Sequence, residues 1–357
     1  MTKIHEINLL GQSIWLDSIS RTMFESNGLS ELIKDGVSGL TSNPTIFDKA
    51  VSETNLYNAQ IKKLHLQGKN VSEIFEAIAV SDVQSAADLM NEVYEKTSAR
   101  DGYVSIEVSP KIANDSSATI DEAIRIWESI NRPNIMIKVP GTKSGAIAIR
   151  KLISIGINVN VTLLFSVESY RRSALAYKDG LSDYLNSGGD KVSRIASVAS
   201  FFVSRLDTAV DNLLDDGLLK GKSGIFNAYK AYELFLNIFG DEFQNLSESG
   251  AQVQRPLWAS TSVKNPEYSQ TLYVDKLMGP NTVNTVPENT LVELLNNATI
   301  ENSLKEFKGI NDYFDKLEQV GISIDEITAK LLNEGIKSFS DSYNSVLERI
   351  ESKSLEV

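Results

Sequence analysis

Cysteine is absent from this 357-residue sequence, and histidine occurs only twice, as His5 and His65. The lack of cysteine excludes disulfides, thiolate metal sites and a cysteine nucleophile. Two peripheral histidines are too few for an active site built on histidine. Any acid–base chemistry must therefore come from carboxylates, lysine or hydroxyl groups.

Long apolar runs are also missing. No stretch reaches the roughly 18 apolar residues that a membrane-spanning helix needs, and the N-terminus lacks the apolar core of a signal peptide. A formal net charge of −12 disfavours binding to nucleic acid or anionic lipid. We expect a cytoplasmic protein with no nucleic-acid or membrane partner, in which an anionic substrate would need a locally positive pocket.

Short strand-like runs alternate with helical patterns between residues 13 and 286. The runs begin near residues 13, 37, 103, 135, 158, 194, 256 and 281. Strict alternation of strand and helix indicates an α/β fold with a parallel sheet. Eight units favour a closed (β/α)8 TIM barrel, which would make residues 1–357 a single domain. A doubly wound open sheet is the alternative, but no G-x-G-x-x-G follows the first run.

Additional helices are expected between and after the strands. Thr119 with Glu122, and Ser204 with Asp207, have the spacing of capping boxes at helix starts. The long gap between residues 48 and 100 should hold extra helix. A long helical segment follows the eighth run, and residues 325–350 carry one apolar stripe. We expect these C-terminal helices, within residues 300–357, to pack on the barrel or to form a subunit contact.

Alternation along each strand predicts where the polar side chains point. In the fifth run, Asn160 and Thr162 share one face, whereas Val161 and Leu163 share the other. Helices cover the outside of a barrel, so the apolar face must be outward and the polar face must line the axis. Seven polar residues from seven strands then converge at the carboxyl ends, where barrel active sites lie: Asp17, Asn43, Glu107, Lys138, Thr162, Ser200 and Ser260.

Lys138 is the unusual member of this set, because it interrupts an apolar run typical of a strand buried on both faces. Burial disfavours an ammonium, and a neutral amine attacks a carbonyl carbon to form a Schiff base. The alternatives are a structural lysine paired with Asp17 or Glu107, and a lysine whose side chain reaches solvent. The polar groups around it favour catalysis, with these two carboxylates as the acid–base groups.

A sugar substrate would need further polar partners. Asn43, Asn160 and Ser200 are suited to bind sugar hydroxyls. A phosphate group would need a cation near a helix N-terminus. Arg205, in the first turn after the sixth strand, and Lys264, just beyond the seventh, meet that description.

Six segments, in this order, resemble motifs of the transaldolase family: GLTSNPTIF (39–47), IEVSP (106–110), IKVPGT (137–142), GINVNVTLLFS (156–166), ASFFVSRLD (199–207) and WASTSVKNP (258–266). The resemblance implies a (β/α)8 barrel of the class I aldolase type that works without a metal or an organic cofactor. It implies transfer of a dihydroxyacetone unit in the pentose phosphate pathway. The donor would be sedoheptulose 7-phosphate or fructose 6-phosphate, and the acceptor glyceraldehyde 3-phosphate or erythrose 4-phosphate.

The resemblance also implies roles for individual residues. Lys138 matches the Schiff-base lysine, Asp17 the main acid–base group, and Glu107 with Thr162 the pair that holds a catalytic water. Asn43, Asn160 and Ser200 match the positions that hold the dihydroxyacetone moiety. Arg205 and Ser260 match the phosphate site. Many relatives carry arginine shortly after the seventh strand, where the nearest cation here is Lys264.

Two other functions remain open at this point. One is a stand-alone aldolase that releases dihydroxyacetone from fructose 6-phosphate, and the other is an inactive sugar-phosphate-binding protein. Family analogy also suggests a monomer or a homodimer.

Overall fold

The computed structural model of the protein describes residues 1–215, 217–305 and 307–355. Eight parallel strands in these residues form a closed barrel in chain order, in which the first strand pairs with the eighth. They are β1 Gln12–Leu16, β2 Gly39–Thr41, β3 Tyr103–Glu107, β4 Ile135–Pro140, β5 Val159–Leu164, β6 Ser197–Phe202, β7 Arg255–Ala259 and β8 Thr282–Val286. The predicted (β/α)8 barrel is confirmed, and the open sheet is wrong.

Helices connect the strands and continue beyond the last one. They are α1 Lys3–Leu9, α2 Arg21–Glu25, α3 Gly28–Lys34, α4 Pro44–Glu53, α5 Asn58–Leu66, α6 Val71–Lys96, α7 Ser116–Ile130, α8 Lys143–Ser154, α9 Val167–Asn186, α10 Ser204–Asp211, α11 Ser223–Ile238, α12 Gln244–Glu248, α13 Leu272–Lys276, α14 Glu288–Asn297, α15 Ile310–Gln319 and α16 Ile324–Leu355. Short 3-10 turns lie at Pro110–Ile112, Val192–Arg194 and Asp241–Phe243. The extra helix expected between residues 48 and 100 is present.

Burial follows the alternation along the strands. Ile14 and Leu16 of β1 are buried in the core shared with the surrounding helices. Trp15 alternates with them, so its ring lies on the inner side of the barrel, 6.3 Å from the ring of Tyr103. Apolar side chains thus fill both sides of the sheet, as close packing requires.

The amino end of the barrel is closed by a satisfied polar network. Arg255 forms an ion pair with Asp101 at 3.1 Å and donates a hydrogen bond to Ser13 Oγ at 2.8 Å. Trp15 Nε1 donates to the same carboxylate at 2.9 Å. Because these groups satisfy one another, this end of the barrel serves stability.

Both predicted capping boxes are wrong. Helix α7 begins at Ser116 and is capped by Asp115, whereas Glu122 accepts a hydrogen bond from the backbone N–H of Ser109 at 2.6 Å. Ser204 is already helical, and Asp207 accepts a hydrogen bond from the backbone N–H of Gly224 at 2.7 Å. In both cases the acidic side chain accepts a hydrogen bond from the backbone of another segment. Local sequence spacing does not indicate such a bond.

The predicted alternation also fails at Leu163. The φ angle of this residue is +58°, and the pairing of β5 with β6 shifts register between Val161 and Leu164. This bulge gives Leu164 the outward position. Leu163 instead packs in the inner cluster with Phe339. The expectation that Leu163 shares the outward face with Val161 is therefore wrong.

The long C-terminal helix α16 lies across the carboxyl end of the barrel. It contacts α4, α5, α6 and α10, and it also touches β5. Gly335 allows the close approach, since a β-carbon there would lie 2.9 Å from Leu163 Cδ2. Asp48 of α4 and Arg349 form an ion pair at 2.6 Å that fastens the far end of the helix.

Part of the predicted C-terminal range, namely residues 306, 356 and 357, lies outside the described residues. None of the described helices is long and apolar enough to cross a membrane. The predicted subunit contact stays a prediction.

Gly145 fixes the approach of α8 to the lysine strand β4. A β-carbon at this position would lie 1.9 Å from the carbonyl oxygen of Pro140, a backbone atom that cannot rotate away. We expect Gly145→Ala to lower the free energy of unfolding by about 1–3 kcal/mol, the usual cost of overpacking. The urea midpoint measures this change.

Gly217→Ala is the matched control, because among the described residues nothing beyond its chain neighbours lies within 4 Å of the β-carbon that it would add. Equal urea midpoints for the two variants would contradict the prediction.

Candidate active site

Lys138 lies in the interior of the barrel, as its place in β4 predicts. Its Nζ atom donates a hydrogen bond to the carbonyl oxygen of Ser42 at 2.8 Å and lies 2.5 Å from Glu107 Oε1. The side chains of this ion pair are only 6% and 7% exposed. Glu107, Lys138 and Asn160 stand side by side on β3, β4 and β5, because the strand register pairs them in turn.

Asp17 comes directly after β1 and is held by two neighbouring strands. Its backbone N–H donates to the carbonyl oxygen of Val286 at 2.8 Å, and its Oδ1 accepts a hydrogen bond from Thr41 Oγ1 at 2.6 Å. Burial raises the pKa of Asp17, while the positive charge of Lys138 and the bond from Thr41 act in the opposite direction. The carboxylate is thus oriented and easier to protonate than one in water.

Glu107 has a similar electrostatic environment. Burial raises its pKa, the adjacent ammonium of Lys138 lowers it, and the negative charge of Asp17 raises it. Two carboxylates and one ammonium therefore share one enclosed space. The pKa of each carboxylate therefore depends on the charged groups beside it as well as on burial.

Asn160 and Ser200 are linked inside the barrel. Ser200 Oγ donates to Asn160 Oδ1 at 2.7 Å, and Asn160 Nδ2 donates to Ser105 Oγ at 3.0 Å. These bonds fix the orientation of the Asn160 amide beside Lys138. Asn43 is held differently: it caps α4 by accepting a hydrogen bond from Ile46 N–H at 3.0 Å. Asn43 lines a small cavity of about 50 Å³ together with Ser42 and Glu107.

A cavity of about 10 Å³ adjoins the amine, close to the volume that one water-sized sphere occupies. Lys138, Glu107 and Thr162 form its polar wall, and Ile336 and Phe339 of α16 close it from above. The ring centroid of Phe339 lies 6.0 Å from Lys138 Nζ. Thr162 Oγ1 is buried and has no hydrogen-bond partner among the described residues. A bound water or a substrate oxygen would satisfy it.

The predicted phosphate residues lie at a different opening. Arg205 and Lys264 line a cleft of about 490 Å³ between α10 and α16. Ser260 adopts a positive φ of 56°, and its Oγ lies 2.9 Å from Ser204 Oγ. The Arg205 guanidinium stands over the ring of Phe202 at 5.4 Å. The structure therefore places the expected residues in two neighbouring groups, one around the amine and one around this cleft.

Three contributors to the site were missed by the sequence reasoning. The Ser42 carbonyl binds the amine, Thr41 orients Asp17, and Phe339 closes the cavity. Thr41 and Ser42 lie in the motif GLTSNPTIF, so their proximity to Asn43 was the available signal. Phe339 belongs to the apolar stripe of residues 325–350, which indicated a buried face but did not identify the surface that it covers.

The described residues contain no group of three or more histidine or acidic side chains placed to hold a metal ion. What they do contain is a buried lysine between carboxylates at the carboxyl end of a (β/α)8 barrel. Fold and site together therefore define a barrel protein with a lysine–carboxylate centre on its active-site face.

Comparison with known proteins specifies this class further. The profile of the family described as Transaldolase/Fructose-6-phosphate aldolase matches residues 14–350. A Trichodesmium erythraeum protein named Transaldolase is 44% identical, over 98% of this chain and 96% of its own. A Mycolicibacterium smegmatis protein of the same name is 44% identical over 96% and 95%. The protein named Transaldolase 2 from Nostoc sp. is 42% identical over 98% and 96%. The chain belongs to the transaldolase/fructose-6-phosphate aldolase family.

The unpartnered hydroxyl of Thr162 gives a prediction for stability. Thr162→Val removes a buried polar group that no described residue satisfies. We expect the free energy of unfolding to stay equal or to rise by up to about 1 kcal/mol, because a buried unsatisfied group is costly. Urea unfolding of the ligand-free protein measures the change.

Thr142→Val is the control of opposite sign. The Thr142 hydroxyl donates to the Ala113 carbonyl at 2.7 Å and accepts from Gly145 N–H at 2.9 Å, so its loss should destabilise. If Thr162→Val destabilised the protein as much as Thr142→Val, the hydroxyl would have a structural role after all.

Proposed function

We propose that this protein is a transaldolase. It moves a dihydroxyacetone unit from a ketose phosphate, sedoheptulose 7-phosphate or fructose 6-phosphate, to an aldose phosphate, glyceraldehyde 3-phosphate or erythrose 4-phosphate. The full-length similarity to proteins named Transaldolase supports this assignment. The observation that carries it is the buried Nζ of Lys138, 2.5 Å from Glu107 Oε1 inside the barrel.

The first step is imine formation at Lys138. A proton moves from Nζ to Glu107, whose pKa burial already raises. The neutral amine then attacks the ketose C2 carbonyl to give a carbinolamine. Glu107 returns the proton to the leaving hydroxyl, and water departs through the pocket that Thr162 lines. The product is a protonated imine that accepts electrons at C2.

The second step breaks a carbon–carbon bond. Asp17 takes the proton from the C4 hydroxyl, the C3–C4 bond breaks, and its electron pair moves through C2 to the imine nitrogen. An aldose leaves, and an enamine remains on Lys138. The hydrogen bond from Thr41 at 2.6 Å holds one oxygen of Asp17, which orients the other toward its substrate.

The final step distinguishes a transferase from a lyase. The enamine carbon attacks the aldehyde carbon of the acceptor, and Asp17 returns its proton to the new hydroxyl. Hydrolysis of the imine then releases the product ketose. The roof formed by Ile336 and Phe339 supports transfer, because it restricts water around the amine before the acceptor arrives. Asn43, Asn160 and Ser200 are the residues proposed to bind the retained three-carbon unit.

We expect borohydride to trap the imine at Lys138. Incubation with fructose 6-phosphate followed by reduction should add one sugar-derived group to the peptide that contains this lysine, as peptide mass spectrometry detects. Lys138→Met should abolish the adduct. Lys143→Met is the matched control, because Lys143 opens the next helix and should leave the adduct unchanged.

Modification at another lysine, or none, would contradict the assignment. An assay with and without erythrose 4-phosphate then distinguishes transaldolase activity from fructose-6-phosphate aldolase activity. Product formation that requires the acceptor supports a transaldolase, whereas equal release of dihydroxyacetone without it supports a fructose-6-phosphate aldolase.

The raised pKa values of Asp17 and Glu107 predict the acid limb of the pH profile. Both residues act as bases when ionised, so activity falls as the pH drops through their pKa values. Burial raises both pKa values, so we expect the acid limb of kcat/KM to lie above pH about 4.5, the ordinary range of a carboxylic acid. A rate profile measured at constant ionic strength tests this, and a limb at or below pH about 4 would count against the carboxylates.

A further inference from the structure

The cleft between α10 and α16 has charged side chains on both of its walls. Arg205 comes from α10, Lys264 from the loop after β7, and Lys330 and Glu334 from the C-terminal helix α16. Its volume of about 490 Å³ is far larger than the cavity beside the amine. The barrel and the C-terminal helix thus contribute jointly to one opening.

The charge in this cleft differs from that of the rest of the protein. Three basic side chains and one acidic side chain leave two positive charges here, although the whole chain carries a net charge of −12. A phosphate monoester carries nearly two negative charges at neutral pH. A groove of about 590 Å³ on another face has the opposite balance, since two bases meet three acids there: Lys69, Arg125, Glu73, Glu76 and Glu122.

The helix geometry turns Lys330 toward this cleft. Ile327, Lys330, Leu331 and Glu334 follow the spacing of one helical face. Leu331 is buried in the inner cluster, and Ile327 packs against it, so the face is anchored to the barrel side. Lys330 is therefore positioned by its apolar neighbours.

Within the described residues, the ion pair of Lys330 is too weak to compete with a ligand. Its Nζ lies 3.7 Å from Glu334 Oε1, and the two side chains are 75% and 56% exposed. Exposed pairs of this kind contribute little to stability. Glu334 also acts on Arg205: burial lowers the pKa of the guanidinium, and the carboxylate raises it. One carboxylate thus faces two cations, and an entering dianion would interact with both.

The same helix covers the amine. Phe339 lies nine residues after Lys330, which corresponds to about 14 Å along the axis at 1.5 Å per residue. The helix thus borders both places, the cleft through Lys330 and the cavity beside the amine through Phe339.

We propose that Lys330 is a specificity-determining residue for the substrate phosphate, which it binds together with Arg205 and Lys264. Lys330 adds a cation from the helix wall of the cleft to Arg205 and Lys264 on the barrel wall. Phosphate binding then also holds α16 over the imine. This inference rests on the proposed function, because it assigns the phosphate of the same substrates.

The test compares three variants on one helix. Lys330→Gln should raise KM for fructose 6-phosphate about tenfold, the loss expected for one charge-assisted hydrogen bond. Lys337→Gln is the matched control, since Lys337 pairs with Asp341 on the same helix and does not line the cleft. Glu334→Gln should lower KM, because it removes the one negative charge from the cleft.

Inorganic phosphate and an unphosphorylated ketone complete the design. Phosphate should inhibit the parent competitively and Lys330→Gln about tenfold less strongly, whereas the rate of borohydride trapping with dihydroxyacetone should be the same in both. If the Lys330–Glu334 pair had only a structural role, Lys330→Gln and Glu334→Gln would raise KM to a similar extent. That result would overturn the inference. Equal KM values for Lys330→Gln and Lys337→Gln would overturn it as well. Absence of trapping in the parent would instead refute the proposed function.

Discussion

The ion pair between Lys138 and Glu107 is the constraint on which the site depends. Two charges removed from water are stable only when they meet at close range and their remaining hydrogen-bonding capacity is used. The barrel meets the first condition, because its register sets the two residues side by side, and it meets the second in part, because the Ser42 carbonyl accepts a hydrogen bond from the amine. Loss of Lys138 would leave Asp17 and Glu107 buried without the cation that acts on both of them. The lysine and the carboxylate are thus one structural unit, and the chemistry proposed for the amine cannot be separated from its neighbour.

The same pair explains how an amine that starts as an ammonium becomes a nucleophile. A proton transfer over 2.5 Å converts two charges into a neutral amine and a neutral acid. In water this transfer is strongly unfavourable, but burial raises the pKa of Glu107 and so reduces its cost. The negative charge of Asp17 acts on Glu107 in the same direction. A dry environment is therefore part of the mechanism, which gives the apolar roof over the site a chemical role in addition to a packing role.

Much of this arrangement follows from the sequence, and the exceptions have physical reasons. Eight alternating units predicted the barrel, and alternation placed Lys138, Glu107 and Thr162 on the inner face. Leu163 departed from the pattern because a bulge depends on pairing between strands, which no single strand encodes. The two capping boxes failed because their acidic residues bind backbone groups distant in sequence. The stripe of α16 indicated that one face is buried but could not identify the surface that it covers.

That surface explains why α16 carries two kinds of side chain. Phe339 is apolar where the helix covers the amine, whereas Lys330 lies where the helix borders the cleft. An acidic protein repels a sugar phosphate at long range, so binding requires positive charge that is concentrated at one place. The strand ends supply part of it through Arg205, but an anion contacted from one wall alone remains open to solvent. The helix α16, attached at its far end by the Asp48–Arg349 pair, supplies the opposite wall of the cleft and also covers the amine. Recognition of the phosphate and protection of the intermediate would then depend on the same helix.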